Sequence, residues 1–254
     1  MSDRQAEIVA NLGDVRDRIA AACASAGREP GEVRLLAVTK TFPAHDAATL
    51  VDLGLTDLAE NKDQEAGGKT GELRELRPDA AVRWHMVGRL QRNKARSVAR
   101  WAAEVQSVDS PRLADALDKA VAAARAEGER SEPLAVLLQA SVDGDPARGG
   151  CPLDELDRLA ECVIRSNELH LRGIMAVAPR GMEPSVAFER LASVASRLRS
   201  VYPTASELSC GMSNDLEQAI AHGSTCVRVG TALLGGRALA SPEKVPGSKI
   251  PGDG

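Results

Sequence analysis

The sequence has few aromatic residues: two Trp, two Phe and one Tyr among 254 positions. Ala, Val and Leu must therefore fill most of the core, and side chains on which single-stranded nucleic acid could stack are scarce. The formal net charge of −4 at pH 7 is a second argument, because nucleic-acid-binding surfaces are usually basic. We expect no nucleic acid among the partners of this chain.

Cysteine and histidine do not cluster in the sequence. The cysteines are odd in number and form no C-x-x-C pair, so neither a disulfide framework nor a thiolate metal site is expected. The scattered histidines argue against a dedicated metal cluster. The positions are Cys23, Cys151, Cys162, Cys210 and Cys226, with His45, His85, His170 and His222.

Signals for export or membrane insertion are absent as well. The segment MSDRQAEIVANL lacks the basic and apolar regions of a signal peptide. No apolar run approaches the length that spans a bilayer. We expect a cytoplasmic protein without a membrane partner.

The sequence does contain a regular alternation of short apolar runs and amphipathic helical patterns. Eight strands alternating with helices in a chain of this length predict a single (β/α)8 barrel of the TIM type. An open doubly wound sheet is the competing architecture, weakened by the lack of a G-x-G-x-x-G turn after the first run. The apolar runs lie at 34–39, 57–60, 82–88, 104–109, 134–141, 170–178, 206–210 and 225–230.

The segments that flank this alternation differ from it. The spacing of Ile8, Leu12, Val15 and Ile19 predicts an extra helix before the first strand. The segment RALASPEKVPGSKIPGDG is rich in Pro, Gly and charge, and is expected to be flexible. The predicted organisation is one α/β barrel domain over 1–237 and a C-terminal tail over 238–254.

The first apolar run, LLAVTKTFP, ends in a lysine. In a barrel the functional residues lie at the C-terminal ends of the strands, where Lys40 would lie. Lys40 is either a reactive amine or an ordinary strand terminus. Asn61 follows the second predicted strand, and Met175 lies on the sixth.

Two glycine-containing loops follow the seventh and eighth predicted strands. Gly211, Met212 and Ser213 precede a predicted helix that opens at Asn214, where Glu217 would complete a capping box. Gly230 and Thr231 follow the last strand. Each loop alone is an ordinary turn with a capped helix. Together, at the position where barrels frequently bind phosphate, they predict a phosphate site.

Arg228 lies two residues before Gly230 and shares its strand face, so it could point into the barrel mouth. A lysine and a phosphate site on neighbouring strands suit a phosphorylated aldehyde held as a Schiff base. Arg228 could then bond a ring nitrogen of a cofactor. An interior charge paired with an acidic neighbour is an equal alternative.

Other polar residues have simpler interpretations. His85 could act as a general base, but a structural hydrogen bond is the more common role. The arginines and lysine of RLQRNKARSVAR could bind an anion, although a solvated helix face is favoured. Cys210 and Cys226 are expected to be buried and unreactive.

The strings AVTKT, ENKDQE, WHMVGRLQRNK, LRGIMAV and LSCGMSNDLEQAIAHGSTCVRVGTALLGGR resemble, in order, the pyridoxal-phosphate homeostasis protein family of the YggS/PROSC type. The resemblance implies a single barrel like the N-terminal domain of alanine racemase, with bound pyridoxal 5′-phosphate (PLP). It implies that Lys40 forms the aldimine, that Asn61 and Met175 lie near the cofactor and that Arg228 meets the pyridine nitrogen. The residues implied around the phosphate are Ser209, Gly211, Met212, Ser213, Gly230 and Thr231.

The residues also bear on whether such a protein catalyses a reaction. A racemase needs a second acid–base group opposite the lysine, and Tyr202 is the only tyrosine. An arginine at the ring nitrogen would also weaken the electron sink. These residues predict a non-catalytic carrier, and the resemblance implies the same role together with the regulation of PLP homeostasis. We expect the protein to be a monomer, with PLP-dependent apoenzymes as partners. The alternatives are a weak PLP-dependent racemase using His85, a cofactor-free Schiff-base aldolase for sugar phosphates, and an interaction module.

Overall fold

The structure, a computed structural model, describes residues 2–145 and 149–236. Within these residues there are nine strands, and helices separate all of them except the fifth and the sixth, between which no helix is described. The strands are β1 (Arg34–Val38), β2 (Asp57–Glu60), β3 (Arg83–Met86), β4 (Glu104–Val108), β5 (Leu134–Ser141), β6 (Cys151–Pro152), β7 (Leu169–Met175), β8 (Glu207–Ser209) and β9 (Cys226–Val229). The helices are α1 (Asp3–Ser25), α2 (Ala44–Asp52), α3 (Asp63–Leu76), α4 (Ala95–Trp101), α5 (Pro111–Ala126), α6 (Leu156–Ile164), α7 (Pro184–Val201), α8 (Leu216–Ala221) and α9 (Thr231–Leu234).

Eight of the strands close into a parallel barrel. Neighbours pair in the order β4, β3, β2, β1, β9, β8, β7 and β5, and the β4–β5 pairing completes the ring. The seam between β1 and β9 places Leu36 opposite Arg228. This closure confirms the predicted (β/α)8 barrel and excludes the open sheet. The two-residue β6 was not predicted; it pairs only with the end of β5.

Side-chain alternation along the strands separates two apolar layers. Leu36, Ala59 and Cys226 form a small cluster inside the barrel. Ala37 and Val227, one position further along their strands, pack outside with the buried face of α1. Because small and aliphatic residues dominate both layers, the barrel needs few aromatic side chains.

The predicted N-terminal helix is present as α1 and packs against the last elements described. Asn11 donates a hydrogen bond through Nδ2 to the carbonyl oxygen of Leu233 at 3.0 Å. Arg4 donates through Nη2 to the carbonyl oxygen of Leu234 at 2.9 Å. Residues 237–254, which include the predicted tail, lie outside the described residues, so the domain limit and the tail stay predictions. None of the helices within the described ranges is long and apolar enough to cross a membrane.

Candidate cofactor-binding site

Lys40 lies at the C-terminal mouth of the barrel, beyond the end of β1. The Thr39 N–H still bonds the carbonyl oxygen of Ala59 at 3.0 Å, so strand pairing continues up to Lys40. Thr39 is fully buried and faces the helix layer, where its hydroxyl donates to Glu60 Oε1 at 2.6 Å. Alternation therefore directs Lys40 to the barrel side, where its side chain is exposed.

A strained residue follows Lys40 directly. Thr41 has a φ of +68°, and it is the one non-glycine residue with positive φ in the part of the chain that the structure describes. A β-branched side chain in this conformation costs roughly 1–3 kcal/mol. Such strain is typical of functional sites, and here it turns the chain away from the mouth immediately after the lysine.

The loop after β8 has a conformation that only glycine allows. Gly211 has a φ of +90°, and a Cβ there would lie 2.5 Å from the Cβ of Ala219. The predicted capping box of Asn214 and Glu217 is wrong. Asp215 instead accepts a hydrogen bond from the Met212 N–H at 2.6 Å, and this turn delays the helix until Leu216.

The two predicted phosphate loops contact each other. The Ala232 N–H donates to the hydroxyl of Ser213 at 3.3 Å, and Gly230 packs so tightly on β1 that a Cβ would lie 3.0 Å from the Val38 oxygen. Four backbone N–H groups of the loops make no hydrogen bond to any described residue. They belong to Ser213, Asn214, Gly230 and Thr231. Free N–H groups gathered on two adjoining loops suit the oxygens of a phosphate.

Arg228 is buried in the barrel mouth and bonds only neutral groups. Its Nη1 donates to the backbone oxygen of Ser209 at 2.7 Å and to the Ser209 hydroxyl at 2.8 Å. Its Nη2 donates to the Ala176 oxygen at 2.8 Å. Burial lowers the pKa of Arg228. No carboxylate among the described residues pairs with it, so the predicted alternative of an interior ion pair is wrong. The Nε–H and one Nη2–H are left for a ligand.

Ser209 occupies a different place from the other residues predicted around the phosphate. It is fully buried beneath Arg228, and its hydroxyl also bonds Gln106 Oε1 at 2.7 Å. The Ser209 hydroxyl is therefore engaged by the protein itself. Its contribution to the site is to support Arg228.

Asn61 lies at the end of β2, fixed by a close contact with the loop after β3. A Cβ on Gly88 would lie 2.0 Å from the Asn61 backbone oxygen, so glycine is required there. The side-chain Oδ1 of Asn61 is buried and has no hydrogen-bond partner among the described residues. This oxygen is a further polar atom that a ligand could satisfy.

Met175 and Met212 differ in exposure. Met175 is buried at the end of β7, whereas Met212 is 38% exposed. Met212 lines a cavity of about 500 Å³ together with residues of the β5 and β7 ends, including Gln139 and Arg180. The cavity lies across the mouth from β1, beside the predicted phosphate loops. It provides open space next to the predicted site.

His85 belongs to a buried charged cluster at the opposite, N-terminal end of the barrel. Its ring nitrogens lie 2.7 Å from Asp57 Oδ1 and 3.0 Å from Glu104 Oε1. Arg34 contacts the same two carboxylates and bonds Glu207 at 2.7 Å. With both nitrogens facing carboxylates, His85 is a structural hydrogen-bond donor; the general-base alternative is wrong.

Two further sequence interpretations are confirmed. Arg96 and Arg100 pair with Glu127 and Glu129 on the surface, as expected of a solvated helix face. Cys210 is buried, and burial raises the pKa of its thiol to about 12. Within the described ranges, no three His, Cys, Asp or Glu side chains are placed to hold a metal ion.

The sequence interpretation missed three parts of the site. Gln106 is a polar residue in the interior of β4, and its position two residues after Glu104 is the only sequence signal that it faces the barrel. The contact of Gly88 with Asn61 has no sequence signal beyond the glycine itself. The support of the Ser213 oxygen by Arg18 Nη2, at 2.9 Å, spans most of the chain.

The residues present fit PLP, the cofactor that the resemblance implies. The free loop N–H groups suit its phosphate, the remaining Arg228 donors suit its ring nitrogen, and the Lys40 amine suits its aldehyde. Arg228 is the strongest indication, because a buried guanidinium that bonds only neutral groups is costly without a ligand.

Known proteins are similar in sequence to this chain over most of its length. The family model "Alanine racemase, N-terminal domain" matches residues 10–238. A pyridoxal phosphate homeostasis protein of Mycobacterium tuberculosis is 51% identical over 249 residues, covering 94% of this chain and 96% of that protein. The pyridoxal phosphate homeostasis protein of Escherichia coli K12 is 39% identical over 234 residues, covering 91% and 97%.

Solved structures share the fold. PipY of Synechococcus elongatus, solved with PLP bound, has a TM-score of 0.72 at 33% identity, covering 85% of this chain and 100% of that chain. Alanine racemase of Corynebacterium glutamicum has a TM-score of 0.59 at 15% identity, over 87% of this chain and 60% of that chain, and it shows the fold alone. The chain therefore belongs to the pyridoxal phosphate homeostasis protein family, whose barrel is that of the alanine racemase N-terminal domain.

Proposed function

We propose that this protein binds PLP covalently through Lys40 and carries it, without catalysing a reaction, to PLP-dependent apoenzymes. The observation that carries the proposal is the arrangement of Arg228 and Lys40 on adjoining strands of one mouth, with free loop N–H groups beside them. The related PipY binds PLP. Here PLP would lie with its phosphate on the two loops, its ring nitrogen at Arg228 and its aldehyde at Lys40.

The covalent step needs no further reactant. The amine nitrogen of Lys40 adds to the aldehyde carbon, a C=N bond forms and one water molecule leaves. Hydrolysis reverses the step and returns free aldehyde and amine. A reversible bond of this kind suits a carrier.

Two features of the chain support a carrier over a catalyst. Arg228 can only donate hydrogen bonds, so a ring nitrogen facing it stays unprotonated and is a weak electron sink. A racemase would also need a second acid–base group opposite Lys40, and the two candidates for it lie away from the mouth. Tyr202 caps the C-terminal end of α7, which is at the N-terminal end of the barrel, and His85 is enclosed by carboxylates.

We also propose that the protein acts as a monomer. Among the described residues, the exposed large apolar side chains are spread over several elements, and just two of them, Val177 and Met212, line the same cavity; the others are Val9, Ile164, Val186 and Val201. Scattered residues of this kind are normal on monomer surfaces. The cytoplasmic location and the identity of the acceptor apoenzymes stay predictions.

The test is borohydride reduction of the purified protein after incubation with PLP, followed by peptide mapping. We expect a yellow species that bleaches on reduction, with the cofactor mass on the peptide that contains Lys40. Lys40→Ala should abolish the label, and Lys62→Ala, which removes an exposed lysine near the mouth, should retain it. A label on another lysine, or Lys40-dependent turnover of a free amino acid, would contradict the proposal.

A further inference from the structure

A chain of hydrogen bonds leads from Arg228 through the barrel interior to the charged cluster at its other end. Arg228 Nη1 donates to the Ser209 hydroxyl at 2.8 Å. That hydroxyl bonds Gln106 Oε1 at 2.7 Å, and Gln106 Nε2 donates to Glu104 Oε1 at 2.8 Å. Ser209, Gln106 and Glu104 are all fully buried. Water is therefore excluded from every link of the chain below Arg228.

The carboxylate at the lower end fixes the direction of every hydrogen bond. Glu104 accepts from His85 and Arg34 as well as from Gln106, so it stays ionised and can only accept. A flipped Gln106 amide would bring its oxygen against the carboxylate with no hydrogen between them. The Nε2 group must therefore face Glu104, and Oε1 must face Ser209.

This direction determines what the Ser209 hydroxyl can do. Because Gln106 Oε1 is an acceptor, the hydroxyl gives its one hydrogen to Gln106. Its lone pairs are then turned toward Arg228, which has hydrogens to donate. The hydroxyl cannot rotate to donate elsewhere without breaking a buried hydrogen bond.

We infer that Gln106 is a positioning residue of the PLP site, which orients the Ser209 hydroxyl and through it fixes the Arg228 guanidinium in the barrel mouth. Gln106 itself lies below Arg228 and is separated from the mouth by it. Its effect on the ligand is therefore indirect. The inference rests on the proposed function for its ligand, but the orientation of Arg228 is a property of the ligand-free protein.

The orientation is tested first without PLP, in arginine-selective ¹⁵N spectra of the folded protein. In the wild type, three hydrogen bonds hold the Arg228 Nη groups, so we expect separate and slowly rotating Nη–H signals. These signals should merge or broaden in Gln106→Met, which keeps the side-chain length and removes both polar groups. Unchanged Arg228 signals in this variant would overturn the inference, whatever the protein binds.

The second test measures the PLP dissociation constant by absorbance titration. Gln106→Met and Ser209→Ala should each raise the constant about tenfold, the usual effect of losing one hydrogen bond to a charged group. The absorption maximum of the bound cofactor should shift in the same direction in both variants. The control is Ser107, which lies on the same strand as Gln106 and whose buried hydroxyl has no hydrogen-bond partner among the described residues. Ser107→Ala should change the constant by less than about twofold.

The double variant distinguishes a connected chain from two independent structural losses. Since Gln106 acts through Ser209, the variant with both changes should bind PLP about as weakly as Ser209→Ala alone. If the double variant instead raised the dissociation constant by the product of the two single effects, Gln106 would act by another route and the inference would be overturned. If Gln106→Met does not fold, Ser209→Ala takes its place in the spectra, and unchanged Arg228 signals there have the same meaning. Failure of the wild type to bind PLP would refute the proposed function, while the spectra would still decide the orientation of Arg228.

Discussion

Lys69 donates a hydrogen bond through Nζ, at 2.7 Å, to the carbonyl oxygen of Thr39, the residue directly before Lys40. The same ammonium pairs with Glu60, and both side chains are buried between β2 and α3. Lys69 and Lys40 therefore have different roles. Lys69 is held in an ion pair that supports the backbone, and Lys40 is left at the mouth.

Removal of Lys69 should destabilise the protein strongly. Lys69→Met leaves the buried carboxylate of Glu60 without its cation, and we expect the free energy of unfolding to fall by about 3–5 kcal/mol in urea titrations. The double variant Lys69→Met, Glu60→Met should recover part of this loss. Lys62→Met, which breaks an exposed pair with Glu65, should cost no more than about 1 kcal/mol. Equal losses for Lys62 and Lys69 would contradict the assignment.

The close contact of Gly88 with Asn61 predicts a steric effect on stability. In Gly88→Ala the new Cβ would meet the Asn61 backbone oxygen at 2.0 Å, and we expect a loss of about 3 kcal/mol in the free energy of unfolding. The matched control is Gly67→Ala in α3, where no atom lies within 4 Å of the new Cβ. That change should stabilise the protein by about 0.5–1 kcal/mol. A neutral Gly88→Ala would mean that the two loops are not in contact.

The charged cluster around His85 predicts a dependence of stability on pH. Burial lowers the pKa of His85, whereas its hydrogen bonds to Asp57 and Glu104 raise it. The raising effect is the larger, so the net pKa lies above the ordinary value of 6.5. A raised pKa means that the stabilising contribution is complete below about pH 6.5 and is lost as pH rises through the folded-state pKa. The free energy of unfolding should therefore decline above pH 6.5.

The measurement is a series of urea titrations across this pH range. His85→Gln should remove the decline, whereas His170→Gln, at an exposed position, should keep it. The slope with pH is the quantity to compare, because His85→Gln also lowers stability at every pH by removing the hydrogen bonds between His85 and the carboxylates of Asp57 and Glu104. An unchanged slope in His85→Gln would place the titrating group elsewhere.

The contact of α1 with the first predicted phosphate loop, the one after β8, predicts a local effect on dynamics. Arg18 bonds the Ser213 oxygen at 2.9 Å and Glu217 at 2.8 Å. Arg18→Gln should increase amide hydrogen exchange at Met212 and Asp215, the hydrogen-bonded amides of this loop, with little change in the barrel strands. Arg197→Gln, which removes another exposed arginine paired with an acidic residue, should leave this loop unchanged. Slow exchange of the loop in Arg18→Gln would show that α1 does not restrain it.

The fold could be predicted because most elements carry their own local pattern. The run over 134–141 coincides with β5, and the spacing of Ile8, Leu12, Val15 and Ile19 coincides with the buried face of α1. Strand ends were less accurate: 82–88 exceeds β3 at both ends, although the Val87 N–H still bonds the Glu60 oxygen. The strand β6 has only two residues, too few to show the alternation of apolar and polar positions that marks a strand, so it could not be predicted.

The sequence could predict that Lys40 and Arg228 lie near the same mouth, because the order of strands in a closed barrel brings β1 and β9 side by side. Their roles toward a ligand stay predictions. Gln106 and Ser209 lie on β4 and β8, which are not neighbours in the ring. Their contact depends on the barrel diameter and on the register of several intervening strands. Such a contact is determined by the complete fold and leaves no local pattern.

The seam between β1 and β9 has a consequence for the order of events during protein synthesis. Lys40 leaves the ribosome early, whereas Arg228 and Gly230, which lie on or directly after the strand that pairs with β1, are translated only after the other barrel strands. Until they arrive, the apolar strand β1 lacks one of its two partners, and nascent chains in this state are prone to aggregation. An interrupted chain holds the amine without the groups that surround it. Capture of a ligand at this mouth therefore reports that translation has passed the last strand and that the ring has closed.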